Sequence, residues 1–80
     1  MKIPAIKKAV ETYNVDQLKA AEEALYNEQP LGIEIEGSDE GEQLTHIIAA
    51  IWILKEMEEK ACDFKDALRA YTQRVRKSIS

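Results

Sequence analysis

The sequence contains few residues that could cross-link the chain or anchor it. Its single cysteine, Cys62, excludes a disulfide within the chain and any paired-cysteine redox or zinc motif, and it is typical of a reducing compartment. No apolar segment follows Met1 and Lys2, and the longest apolar run is far shorter than the ~20 residues that span a bilayer. We therefore expect a soluble, cytoplasmic protein without a membrane partner.

Basic residues are in the minority, with 11 Lys and Arg against 15 Asp and Glu and a net charge of −4. Binding to nucleic acids and to anionic membranes is driven largely by Lys and Arg, so neither partner is expected. A chain of 80 residues is long enough for one small core. We predict a single helical domain over residues 1–80, stabilised by close packing or by oligomerisation.

Glycine and proline number only three and two, and neither occurs between Glu42 and Ser80. This region contains eight consecutive apolar residues, 47–54. Such a run suits a buried strand as well as a buried helix, but the strong helix formers on both sides favour a helix from about Gly41 to Ala61. The boundary near Cys62 is weak, which leaves open whether residues 42–78 form one helix or two.

Local signals predict two helices before this region. Pro4 suits the first turn of a helix that ends near Tyr13, since its missing N–H would have no partner within the helix there. Asn14 and Gln17 have the spacing of a capping box, which predicts a second helix from about Val15 to Asn27. After Ala61, Asp63 can cap a final helix, with Asp66 three residues later at the matching position inside it.

Residues 32–37 alternate apolar and acidic side chains between two glycines, the pattern of a short half-buried strand. No second strand is evident. The segment is either merely extended or pairs with the same segment of another copy across a two-fold axis. The predicted fold is therefore all-α, a four-helix orthogonal or bundle-like small domain with a short extended segment near residues 32–37.

The apolar residues of the central helix fall on two sides when placed at about 100° each. His46, Ala50, Ile53 and Met57 recur at i, i+4, i+7 and i+11, which we call the second stripe. Its small and flexible side chains suit close approach by another helix, from this chain or from a second copy. The other side, the primary face, is expected to hold the main core and comprises Leu44, Ile47, Ile48, Ile51, Trp52 and Leu54.

Three short helices are too few to cover both sides of the apolar run. We therefore predict a non-catalytic protein that acts by protein–protein interaction, as a homodimer or with another protein partner of unknown identity. Segregated charge supports self-association, because the middle of the chain is acidic and both ends are basic. The residues expected at the interface are His46, Ala50, Ile53, Met57, Ile33 and Ile35.

An alternative is a regulatory protein that binds a divalent cation. Five carboxylates lie within residues 34–42, and His46 follows one turn after Glu42. The match to an EF-hand is poor, since Ile47 falls where the bidentate glutamate belongs. His46 has no recognisable nucleophile or acid beside it in the sequence. We therefore predict no catalytic residue, no cofactor and no metal site.

Three stretches, MKIPAIKKAVETY, EGEQLTHIIAAIWILKEM and YTQRVRKSIS, resemble a family of short uncharacterised proteins from Bacteroidetes-type bacteria. The resemblance extends over nearly the whole chain. It implies a small cytoplasmic protein without an assigned activity, and it supplies no functional residues.

Overall fold

The computed structural model describes the backbone of residues 2–79 and the side chains of residues 2–76. The first helix, α1, spans Ile3–Thr12 with Pro4 in its first turn. The second, α2, spans Val15–Tyr26. The predicted capping box is confirmed, because Asn14 Oδ1 accepts from the Gln17 amide at 2.8 Å and Gln17 Oε1 accepts from the Asn14 amide at 3.0 Å.

The central helix, α3, spans Glu40–Lys60 and begins where Asp39 Oδ1 accepts from the amide of Glu42 at 2.7 Å. It ends at Ala61, whose φ of 51° and ψ of 40° lie in the left-handed region. Asp63 Oδ1 then accepts from the amide of Asp66 at 3.0 Å and begins the last helix, α4, which spans Phe64–Ile79. Residues 40–79 therefore form two helices, not one.

Each of the other three helices packs against α3, which is the centre of the fold. The largest fully buried side chains are Ile6 of α1, Leu18 of α2, and His46, Ile47 and Ile53 of α3. Small residues allow the helices to approach one another closely. Ala9, Ala21, Ala49, Ala50 and Ala67 are all buried.

Residues 27–39 join α2 to α3 without forming a strand. Within residues 2–79, all regular secondary structure is helical. The prediction of an all-α, four-helix small domain is confirmed. None of the helices in residues 2–79 is long and apolar enough to cross a membrane.

Candidate interaction surface

The second stripe of α3 lies inside the subunit and not on its surface. His46, Ala50 and Ile53 each have no exposed surface, and Met57 is half-buried. Of the two alternatives for this stripe, the structure shows the first, in which this chain's own elements cover it. The expectation that three short helices leave this side of the apolar run uncovered is wrong, because the connector between α2 and α3 adds a fourth covering element.

His46 joins three parts of the fold. Its Nε2 accepts a hydrogen bond from the backbone amide of Lys2 at 3.0 Å, and its Nδ1 lies 2.7 Å from the carbonyl oxygen of Glu36. Because the Lys2 N–H donates to Nε2, the neutral ring carries its proton on Nδ1 and donates it to Glu36. Both ring nitrogens are therefore occupied, and the imidazole has no free lone pair for a metal ion or for a substrate proton.

The connector keeps the predicted alternation without becoming a strand. Ile35 is buried, Ile33 is half-buried against the core, and the glutamates beside them are exposed. Both isoleucines are thus covered within the subunit. Whether they also contact a partner remains a prediction.

Side chains of the helices hold the connector in place of a second strand. Tyr13 Oη accepts from the Glu34 amide at 3.1 Å and donates to the Glu34 carbonyl at 3.2 Å. Gln43 Nε2 donates to the Ile35 carbonyl at 3.0 Å, and His46 donates to that of Glu36. Three successive carbonyls therefore already accept hydrogen bonds, and pairing with a strand of another copy would have to replace those bonds.

The acidic residues of 34–42 do not converge on a cation site. No group of three or more His, Cys, Asp or Glu side chains within the described residues is arranged to hold a metal ion. Asp39 instead caps α3, and Glu36 lies 3.9 Å from the Lys8 ammonium in an exposed ion pair. The cation-binding alternative therefore gains no support from the geometry of this loop.

The outward side of α3 lies on the primary face. Ile48 is 39 % exposed, the only exposed side chain of the apolar run, and Trp52 one turn later is half-buried. Lys55 and Glu59 continue the same line at i+7 and i+11 and are exposed. We call Ile48, Trp52 and Lys55 the α3 ridge.

A groove follows each side of the α3 ridge. The groove toward α2, about 250 Å³, is lined by Ile48 and Ile51 on its α3 side and by Lys19 and Glu22 on its α2 wall. The groove toward α4 is about 330 Å³, and both Trp52 and Lys55 also line it. The two hollows are therefore separated by the ridge itself.

Trp52 is held from the α4 side by Tyr71, at a ring centroid distance of 5.6 Å and an interplanar angle of 53°. This tilted geometry is favourable for aromatic pairs and limits the freedom of the indole. Tyr26, 64 % exposed, lies one turn beyond Glu22 on the same side of α2. Trp52, Tyr71 and Tyr26 are three of the five aromatic residues of the protein.

Sequence reasoning assigned Ile48 and Trp52 to the core and so missed the ridge. Ile48 and Trp52 lie on the same side of the helix as Lys55 and Glu59. The change from apolar to charged residues along this side could have indicated that it borders solvent. Ile51, on the same predicted face, is only 9 % exposed. The primary face is therefore partly buried, at Ile51, and partly exposed, at Ile48.

Comparison with protein-family models gives one finding. A model described as a family of unknown function (DUF6952) matches residues 1–80. The expected membership of an uncharacterised family is confirmed, while the bacterial group that we expected stays a prediction. Neither the curated proteins nor the solved structures contain a match to the chain. The chain belongs to this family of unknown function, DUF6952, over its whole length.

Proposed function

We propose that this protein is a non-catalytic helical module that binds protein through the α3 ridge and forms a homodimer there. The observation that carries the proposal is the exposure of Ile48, at 39 %, on the helix that is otherwise the centre of the core. The burial of His46, the only histidine, supports a role without catalysis.

The shape of this surface supports contact with a second copy. A two-fold interface requires a surface that complements itself. A ridge with a groove on either side meets this requirement, because the ridge of each copy can enter a groove of the other. Trp52 is a suitable anchor, since buried tryptophans contribute a large share of binding energy at interfaces and Tyr71 already restricts its ring.

The charges of the two grooves are mixed, which also favours self-association. Lys19 and Glu22 lie on the α2 wall, and Glu56 and Lys60 line the groove toward α4. Because each groove contains both signs, a second copy can place opposite charges against each other at the rim. Such pairs improve the fit and the specificity more than the affinity.

A cytoplasmic location is part of the proposal. It is supported by the single, unpaired Cys62, which is consistent with a compartment that keeps thiols reduced.

Sedimentation equilibrium over a concentration series tests the proposal. The wild-type chain is expected to show a monomer–dimer equilibrium at tens of micromolar. Ile48→Glu places a charge in the centre of the interface and is expected to weaken dimerisation about tenfold or more. The monomer should remain folded, because Ile48 is 39 % exposed and does not belong to the cluster of core residues.

Ile3→Glu is the matched control. Ile3 is 46 % exposed and directly follows Lys2, whose amide bonds to His46. His46 and Ile48 are two positions apart on α3, about 200° around the helix, so Ile3 lies on the opposite flank. The control should dimerise like the wild type. A wild-type chain that sediments as a monomer throughout would remove the homodimer proposal, and equal weakening by both variants would remove the assignment to the ridge.

A further inference from the structure

A cleft of about 650 Å³ lies at the opposite end of α3 from its first turn, between the end of that helix and the start of α2. Its apolar lining comprises Val15, Leu54, Met57 and Cys62, which are half-buried, and Ala61, which is exposed. Small-molecule sites typically measure about 300–1,000 Å³ and combine an apolar lining with a few polar groups. The cleft is wide open to solvent, so its size and lining fit a small organic ligand that the protein covers on one side.

The apolar lining is incompletely covered by the chain itself. Val15 and Leu54 pack on the edge of the core and still reach the cleft. Met57 is unbranched and polarisable, so it adapts to ligands of different shape. An apolar group that enters the cleft would remove parts of these side chains from water, which is favourable in proportion to the area buried.

The charges at the cleft have one sign. The two ionisable groups that carry charge there are the carboxylates of Asp16 and Glu58, both exposed, and no lysine or arginine lines the cleft. The end of α3 adds the partial negative charge of a helix C-terminus. The start of α2 contributes partial positive charge, but Asp16 lies in that first turn and the Asn14 side chain already accepts from Gln17.

From the volume, the apolar lining and the two carboxylates, we propose that this cleft binds a small amphiphilic amine. The apolar part of the amine lies against Leu54 and Met57, and its ammonium group lies between Asp16 and Glu58. The proposal is independent of the α3 ridge. It also assigns Met57 a role that differs from the other members of the second stripe, since Met57 reaches a surface cleft whereas His46, Ala50 and Ile53 do not.

Three probes of equal length and different charge test the proposal. They are hexylammonium, hexan-1-ol and hexanoate, each titrated to tens of millimolar against isotopically labelled full-length protein. The methyl resonances of Leu54 and Met57 are expected to shift with hexylammonium, less with the alcohol and least with hexanoate. An ion pair at an exposed site contributes little free energy, so each carboxylate should raise the affinity for hexylammonium about two- to fivefold.

Cys62 supplies a second readout, because it is the only thiol and lines the cleft. Hexylammonium is expected to slow its modification by methyl methanethiosulfonate, a small neutral reagent. The double variant Asp16→Asn with Glu58→Gln should bind hexylammonium no more tightly than the alcohol, while its affinity for the alcohol stays unchanged. Glu59→Gln is the matched control, since Glu59 is exposed on the same helix and lines a different groove.

The results separate clearly. The order ammonium, alcohol, carboxylate, lost in the double variant and retained in Glu59→Gln, supports the proposal. Equal binding of the three probes, shifts that avoid Leu54 and Met57, or an unchanged rate of Cys62 modification at saturating hexylammonium would overturn it. None of these results depends on dimerisation, which is measured separately by sedimentation.

Discussion

Replacing His46 tests whether one buried side chain holds α1, the connector and α3 together. His46→Leu places an apolar side chain of similar size in a site with no exposed surface, and it removes both hydrogen bonds. The Lys2 amide and the Glu36 carbonyl then lose their partner. His46→Ala removes the same bonds and also leaves a cavity.

The magnitude follows from the two bonds, at 3.0 and 2.7 Å. A buried polar group left without a partner costs about 1–3 kcal/mol. Both bonds lie in partly buried surroundings, so we take the lower part of that range for each, which predicts that His46→Leu lowers the free energy of unfolding by about 2 kcal/mol. His46→Ala should cost more, about 3–5 kcal/mol, because the removed ring leaves a cavity.

Urea unfolding of the three proteins, followed by Trp52 fluorescence and by circular dichroism, measures these differences. A loss of about 2 kcal/mol should also lower the melting temperature by roughly 10 °C in a chain of this size. The nitrogen chemical shifts of the ring should report the tautomer with the proton on Nδ1. A free energy of unfolding of His46→Leu within about 0.5 kcal/mol of the wild type would show that these two hydrogen bonds do not stabilise the fold. A ring protonated on Nε2 alone would contradict the assigned donor and acceptor.

Three smaller changes test other parts of the fold by the same unfolding measurement. Tyr13→Phe removes both bonds to Glu34 and should cost about 1 kcal/mol, with faster amide exchange in the connector; unchanged exchange would show that Tyr13 does not hold it. Ala61→Gly should stabilise by about 0.5–1 kcal/mol, because φ is 51° there, and destabilisation would contradict the left-handed helix end. Gly37→Ala should cost about 1–3 kcal/mol, since its Cβ would lie 2.7 Å from Cγ and 2.9 Å from the amide nitrogen of Gln43; an unchanged midpoint would exclude this close approach.

The helices could be predicted because their start signals are local. Asn14 with Gln17, and Asp63 with Asp66, are three residues apart in the sequence and form their hydrogen bonds within one turn. The end of α3 was harder to predict because the left-handed residue is Ala61 and not glycine, the residue that usually marks such an end. The sequence near residue 62 therefore did not decide between one continuous helix and two separate helices.

The outward side of α3 could not be predicted from the apolar run itself. A helix that is apolar nearly all round has little amphipathic signal, so its periodicity does not indicate which side a neighbour will cover. His46 is buried where Lys2 and the connector meet α3, whereas Ile48, two positions later, is exposed. The positions of Lys2 and the connector depend on contacts between residues far apart in sequence, such as that of Lys2 with His46.

The strand-like pattern of residues 32–37 illustrates a related limit. The alternation predicted a half-buried segment, and Ile35 is indeed buried, because successive side chains of an extended chain lie on opposite sides. It carries no information on the backbone partners. These proved to be the side chains of Tyr13, Gln43 and His46, and they satisfy the backbone as a neighbouring strand would.

One side of α3 is buried within the subunit, and we propose that the side bearing Ile48 and Trp52 binds a second copy. A dilution series of amide and indole NMR spectra of the wild-type chain tests both halves at once. We expect the resonances of Ile48, Lys55 and the Trp52 indole to change with concentration, while those of Ala50 and Ile53 change little. Spectra that do not depend on concentration, or changes centred on Ala50 and Ile53, would contradict this expectation.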